Sequence, residues 1–202
     1  MSTQPRHTDR LLQLAQQRGL LRSGDLAALG IPRVYLTRLA TGGKLVKAGR
    51  GLYRLADAPL SENESLTIVA ARAPQAVFCL VTALQFHGLT TQLPRQVWIA
   101  LPQGSHAPRM DYPPVKLIQY TGDAFTQGIE KHRIDQVNIR VYSVAKTVAD
   151  CFKHRNKIGL DVALGALKDA RSHKKASADD LWRYAKICRV ANVMRPYLEA
   201  VE

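Results

Sequence analysis

The sequence predicts an α+β protein, with three short helices and a basic hairpin at the N-terminus followed by a mixed domain in which helices pack on a small sheet. Three observations carry that expectation. The apolar period switches from helical to strand-like after Gly42-Gly43. Beyond residue 60, capped helical stretches alternate with short runs rich in valine, isoleucine and tyrosine. Hydrophobic residues make up 46% of the 202, enough for a real core.

Residues 1–7 are polar and expected to fray. From Thr8 the apolar positions Leu11, Leu12, Leu14, Ala15 and Leu20 predict a first helix ending near Gly19. Ser23 reads as the N-cap of a second helix over Asp25–Leu29, stopped by Gly30. Pro32 suits the first turn of a third helix, where a missing N–H costs nothing. There Leu36 and Leu39, three apart, face inward and leave Arg33, Thr37 and Arg38 outside. Lys44–Lys47, Ala48–Gly51 and Leu52–Leu55 then read as strand, turn, strand. Three helices and a hairpin, with Gly-Ile-Pro as a short turn between helices two and three, is the layout of a winged helix-turn-helix.

A linker, Ala56–Leu60, leads to Ser61 and Glu64, spaced as a capping box for a helix through Leu66, Val69 and Ala70 that Pro74 ends. Ala76–Leu80 runs into a helix closed by Gly88. Gln96–Leu101, Val115–Tyr120 and Val137–Tyr142 read as strands, the first two separated by the Pro- and Gly-rich loop Pro102–Pro114. Ser143 can cap a helix carrying Val144, Val148 and Cys151 on one face. Two further helices are expected, around Leu160–Arg171 and Asp179–Tyr197. Gly165 lowers helix propensity by about 1 kcal/mol relative to alanine, and close approach of a neighbouring helix is one reason to keep it. The expected domains are residues 1–58 and 59–202.

The formal charge is +13, from 29 Lys/Arg against 16 Asp/Glu. Ten of the basic residues but only Asp9, Asp25 and Asp57 fall in residues 1–60, so the positive charge is densest there. That asymmetry favours a polyanion bound at the N-terminus. Cys79, Cys151 and Cys188 are far apart with no C-x-x-C spacing, which reads as buried thiols, neither a disulfide scaffold nor a zinc site. No apolar run has the length of a membrane span and no signal peptide opens the chain, so a cytoplasmic protein with no membrane partner is expected.

Enzymatic motifs are missing: there is no P-loop, G-x-S-x-G or H-E-x-x-H. No cofactor, metal or catalytic residue is expected, and His106 with Asp111 in the Pro-rich loop is a short His/carboxylate grouping with no further ligand beside it. Asp150, four residues after Lys146, is open to two readings: a nuclease acid and lysine, or an i, i+4 ion pair. The N-terminal segment carries more. A recognition helix places outward side chains against base edges and phosphates. Here those are Arg33, Thr37 and Arg38, flanked by Val34 and Thr41, with Lys44, Lys47, Arg50 and Arg54 on the wing. Arg50 sits at the tip between Gly49 and Gly51, whose conformational freedom would let the tip approach a phosphate backbone closely. Tyr53 reads as core.

The blocks GIPRVYLTRL, GGKLVKAGRGLYRL, CLVTALQFHGLTTQLP, VWIALP, VYSVAKTVADCFKHRNKIGLDVALGAL and DLWRYAKICRVANVMRPYLEA, in this order and spacing, resemble the AbiEi family, the antitoxins of type IV toxin–antitoxin systems, in its transcriptional-regulator form. The resemblance implies a winged helix that binds operator inverted repeats in double-stranded DNA and represses its own operon, as a monomer or a DNA-induced dimer. It also implies a C-terminal domain that counteracts a nucleotidyltransferase-like toxin of the AbiEii type, with or without direct binding. Ser143, Lys146, Thr147, Asp150, Lys153, Arg155, Asn156 and Lys157 match the family's C-terminal motif, as an antitoxin element or a structural one. A nucleic-acid-processing enzyme built on Asp150 and Lys146, and a toxin-binding module, stand as alternatives.

Overall fold

The computed structural model describes residues 7–59 and 61–200. The expected frayed segment lies outside the described residues except for His7, and so does Leu60 at the end of the linker. The architecture is α+β, as the sequence predicts. Packing divides the chain into two units. One holds the described residues up to Pro74 together with Pro108–Pro114 and His132–Ile139, and the other holds the rest.

In the first unit, α1 (His7–Arg18) buries Leu11 and Ala15, one turn apart. Gly19, at φ +70°, takes the left-handed turn after it, and a Cβ there would collide with the Asp135 carbonyl. β1 (Leu21–Arg22) pairs antiparallel with the hairpin, a two-residue strand too short to show as periodicity. The expected second helix is corrected to a series of turns. Asp25 N donates to Arg22 O, Leu29 N to Leu26 O and Gly30 N to Ala27 O, all three residues apart. Burial of Leu26 and Ile31 fixes those turns without a helical repeat.

The third helix is α2 (Val34–Thr41), with Leu36 and Leu39 buried. It ends in a Schellman motif: Lys44 N donates to Leu39 O, Gly43 N donates to Ala40 O, and Gly43 sits at φ +68°. β2 (Leu45–Gly49) and β3 (Leu52–Leu55) complete a sheet of order β1-β3-β2. Leu11, Leu21, Leu26, Ile31, Leu36, Leu39 and Leu45 form its core, against which Tyr53 packs. Each of these leucines contributes about 1.5–3 kcal/mol through burial. α3 (Glu64–Arg72) comes next, but without the expected capping box: Ser61 Oγ accepts from Asn63 N, and Asn63 holds the cap position with no side-chain bond.

The remaining elements are β4 (Val77–Phe78), α4 (Leu80–Phe86), β5 (Val97–Pro102), β6 (Val115–Tyr120), α5 (Asp123–Thr126), β7 (Ile129–Ile134), β8 (Val137–Tyr142), α6 (Val144–Lys153), α7 (Arg155–Ile158), α8 (Leu160–Ser172), α9 (Ala178–Ile187) and α10 (Ala191–Glu199). The sheet order is β6-β5-β4-β8-β7, with β5–β6 and β4–β8 parallel and β4–β5 antiparallel. Asp135 and Gln136 join β7 to β8, both at positive φ, the backbone of a type I′ turn.

Two further expectations change here. The single helix over Asp179–Tyr197 is two, because Arg189 turns left-handed at φ +59° and Val190 N donates back to Ala185 O, which closes α9. A Cβ added at Gly165 would meet nothing within 4 Å, so close approach of a neighbouring helix is not why a glycine stands there. The core of this unit includes Val77, Leu80, Leu84, Ile118, Tyr142, Val148, Phe152, Leu167, Leu181 and Met194.

Candidate nucleic-acid interface

α2 is seated from below by Leu36 and Leu39, and those two positions determine which side chains it offers to solvent. Arg33, Val34, Thr37, Arg38 and Thr41 are exposed. Arg33 occupies the cap position in helical conformation, so the helix offers its first turn without a side-chain cap. Tyr35 is half-buried against the core, and the Arg38 guanidinium lies 5.4 Å from the centre of its ring. The His7 ring packs on the same tyrosine at 5.0 Å. Tyr35 thus holds Arg38 by a cation–π contact that costs the arginine some of its rotamer freedom. Tyr35 is absent from the residues expected at the interface, and its i, i+3 spacing with Arg38 is the signal that marks it in the sequence.

On the wing, Lys44, Lys47 and Arg50 are exposed. The strand register shifts between Lys47 and Gly49, a bulge that bends the hairpin toward its tip. Of the two glycines around Arg50, Gly51 alone is left-handed, at φ +70°. A Cβ on Gly51 would come within 2.8 Å of Ser23 Oγ, and Ser23 N donates to Gly51 O at 2.8 Å. The glycine therefore lets the wing close on the Ser23 turn, a role internal to the domain. Arg72 Nη1 also donates to the Arg50 carbonyl at 3.4 Å, leaving the Arg50 side chain outward.

Arg54 is placed otherwise than the wing expectation had it. Its guanidinium is half-buried and lies 3.3 Å from Glu64 Oε1, and it donates to the carbonyls of Leu55 and Ala58 at 3.2 and 3.3 Å. Those bonds tie the end of β3 to the linker and α3, so Arg54 faces inward to a cavity of about 340 Å³ rather than outward to a ligand surface.

The first half of the C-terminal motif is built into the interior, with Lys146, Thr147 and Asp150 buried. Ser143 Oγ caps α6 by accepting from Lys146 N, and Thr147 Oγ1 donates to Tyr142 O at 3.1 Å. Lys146 Nζ and Asp150 Oδ2 are 2.6 Å apart with both side chains 0% exposed. The ammonium lies 4.1 and 4.6 Å from the ring centres of Tyr142 and Tyr120, and Cys188 Sγ donates to Asp150 Oδ1 at 3.3 Å. Burial raises the Asp150 carboxyl above its ordinary range against the pull of Lys146. Burial, and then the Asp150 charge, raises the Cys79 and Cys151 thiols and pushes Cys188 up to about 12. No substrate can reach a pair so enclosed, and the nuclease arrangement loses its footing on that ground. Lys153 donates to the Cys188 carbonyl and Arg155 to that of Phe152; Lys153, Asn156 and Lys157 are exposed. His106 and Asp111 gather no third ligand: among the described residues no group of three or more His, Cys, Asp or Glu is placed to hold a metal. No helix among them is long and apolar enough to cross a membrane.

Residues 9–56 match the family model described as "Transcriptional regulator, AbiEi antitoxin". The AbiEi likeness expected from the sequence is thereby found over the segment that holds α1, the turns, α2 and the wing. Among solved structures, the RV2827C protein from Mycobacterium tuberculosis is similar over 92% of this chain and 73% of its own, at 17% identity and a TM-score of 0.59. At that identity the likeness is one of fold. No curated protein matches the chain.

Proposed function

We propose that the protein is a DNA-binding transcriptional repressor and the antitoxin of a type IV system, with residues 1–58 binding DNA and residues 59–202 acting against the toxin. One observation carries the DNA-binding half: exposed Arg33 at the cap of α2, with exposed Thr37 and Arg38 on it, shares the first unit with exposed Lys44, Lys47 and Arg50 on the wing. In this reading Arg33 and Arg38 pair with guanine O6 and N7, and Thr37 meets a phosphate or a thymine methyl. Lys44, Lys47 and Arg50 neutralise phosphates and release counterions. The operator consists of inverted repeats upstream of the protein's own operon, bound by a monomer or a DNA-induced dimer. The AbiEi match supports the regulator role, and the larger domain counteracts a nucleotidyltransferase-like toxin.

Gel shifts against duplex DNA across a salt series test this reading. Three phosphate contacts on the wing give a slope of log K against log salt of about −3. Lys47→Ala and Arg50→Ala weaken all duplexes alike and flatten that slope by about 1 each, whereas Arg33→Ala and Arg38→Ala relax sequence preference by about 1–3 kcal/mol. Binding that ignores both pairs of substitutions would falsify the assignment. Growth of cells that express an AbiEii-type toxin, with and without this chain, tests the antitoxin role.

A further inference from the structure

We propose that Val34 reads thymine in the major groove through the 5-methyl group of the base. The inference rests on the DNA-binding reading above and specifies what that interface selects. Val34 is 48% exposed in the first turn of α2, among Arg33, Thr37 and Arg38. The other large apolar side chains exposed among the described residues, Leu93, Tyr112 and Leu160, lie outside α2 and the wing. Valine is a poor choice for the outer face of a helix on local grounds. Its β-branch lowers helix propensity, and in this exposed position it gains little from burial.

Its chemistry also limits what it can contact. An isopropyl group neither donates nor accepts a hydrogen bond, so it adds nothing at a phosphate, at guanine or at adenine. The apolar feature that the major-groove edges of the four bases present is the thymine methyl, for which an apolar side chain is the matching partner. The first turn of a recognition helix is where side chains reach base edges. Arg38, one turn further along the same face, is held by the Tyr35 ring, so the arginine keeps its own orientation when Val34 is altered.

The test begins with duplexes selected by the full chain from a random-sequence pool. Each thymine of the selected sequence is replaced in turn by deoxyuridine, which removes only the methyl, and then by 5-bromodeoxyuridine, whose bromine restores the bulk. For the unaltered protein, deoxyuridine at one position of the half-site weakens binding about fourfold, the worth of one buried methyl-sized group, and bromine restores it. In Val34→Ala, whose single methyl stops further from the base, the difference between thymine and deoxyuridine at that position shrinks. In Arg38→Ala overall affinity drops while the difference persists. Failure to retain any duplex at low salt overturns the DNA-binding reading and this inference with it. Retention with no deoxyuridine-sensitive position, or with a sensitivity unchanged in Val34→Ala, overturns the thymine reading alone. Thermal melting of Val34→Ala accompanies the binding series, and an exposed valine predicts a midpoint close to that of the parent.

Discussion

Single side chains here divide between those that face solvent and those spent inside, and formal charge does not tell them apart. Lys146 and Asp150 are an ion pair sealed among aromatic rings. Lys146→Met removes one charge and leaves the other buried alone, which costs about 3–5 kcal/mol. Chemical denaturation should show that loss, and Lys146→Met/Asp150→Leu should recover most of it because neither charge then remains. His154 predicts a pH effect. Burial, and then the charges of Lys157, Lys153 and Lys146, lowers it from 6.5 to about 4. Between those values the unfolded chain binds a proton that the native chain does not. Stability therefore rises as pH rises through the window and falls as pH drops toward 4. Melting curves from pH 7 to 4 should show a smaller decline for His154→Gln than for the parent, by about 1 kcal/mol after allowing for partial exposure.

At the level of elements, the turn between β7 and β8 offers the sharpest expectation. Asp135 and Gln136 both adopt the left-handed conformation, which glycine accepts without strain. Gln136→Gly should stabilise the hairpin by about 0.5–1 kcal/mol, measurable as a higher midpoint in thermal unfolding. Nothing in Asp-Gln advertises such a turn, which is why β7 was not legible in the sequence while β8 was. The strands Val115–Tyr120 and Val137–Tyr142 were legible because β-branched and apolar residues run through them. Helices closed by glycine were legible too, at Gly43 and Gly88. Arg189 was not, because a left-handed arginine leaves the helical period unbroken: Leu181, Cys188 and Ala191 keep the spacing of one continuous face. The exposed face of α2 was readable because Leu36 and Leu39 disclose it. Arg54 was not, because its partner Glu64 lies beyond the linker and only folding brings the two together.

On the scale of the whole chain, the +13 charge sets a general affinity for polyanions, which exposed arginines and Val34 would refine into preference. The second unit carries a different global property. Cys79, Cys151 and Cys188 are all buried, and none is ionised near neutral pH because burial raises each thiol. Iodoacetamide at pH 8 should leave the native protein unlabelled and modify all three thiols in denaturant, so the labelling rate measures the opening of that unit. The sealed Lys146–Asp150 pair bears on the same unit as a matter of fidelity. A slip of α6 by one residue would strand a naked charge in hydrocarbon, so misassembled packings are rejected at a cost that an apolar core would never impose. The Lys146→Met/Asp150→Leu chain should accordingly remain folded yet bind a hydrophobic dye where the parent does not, having kept its cohesion and lost its proofreading.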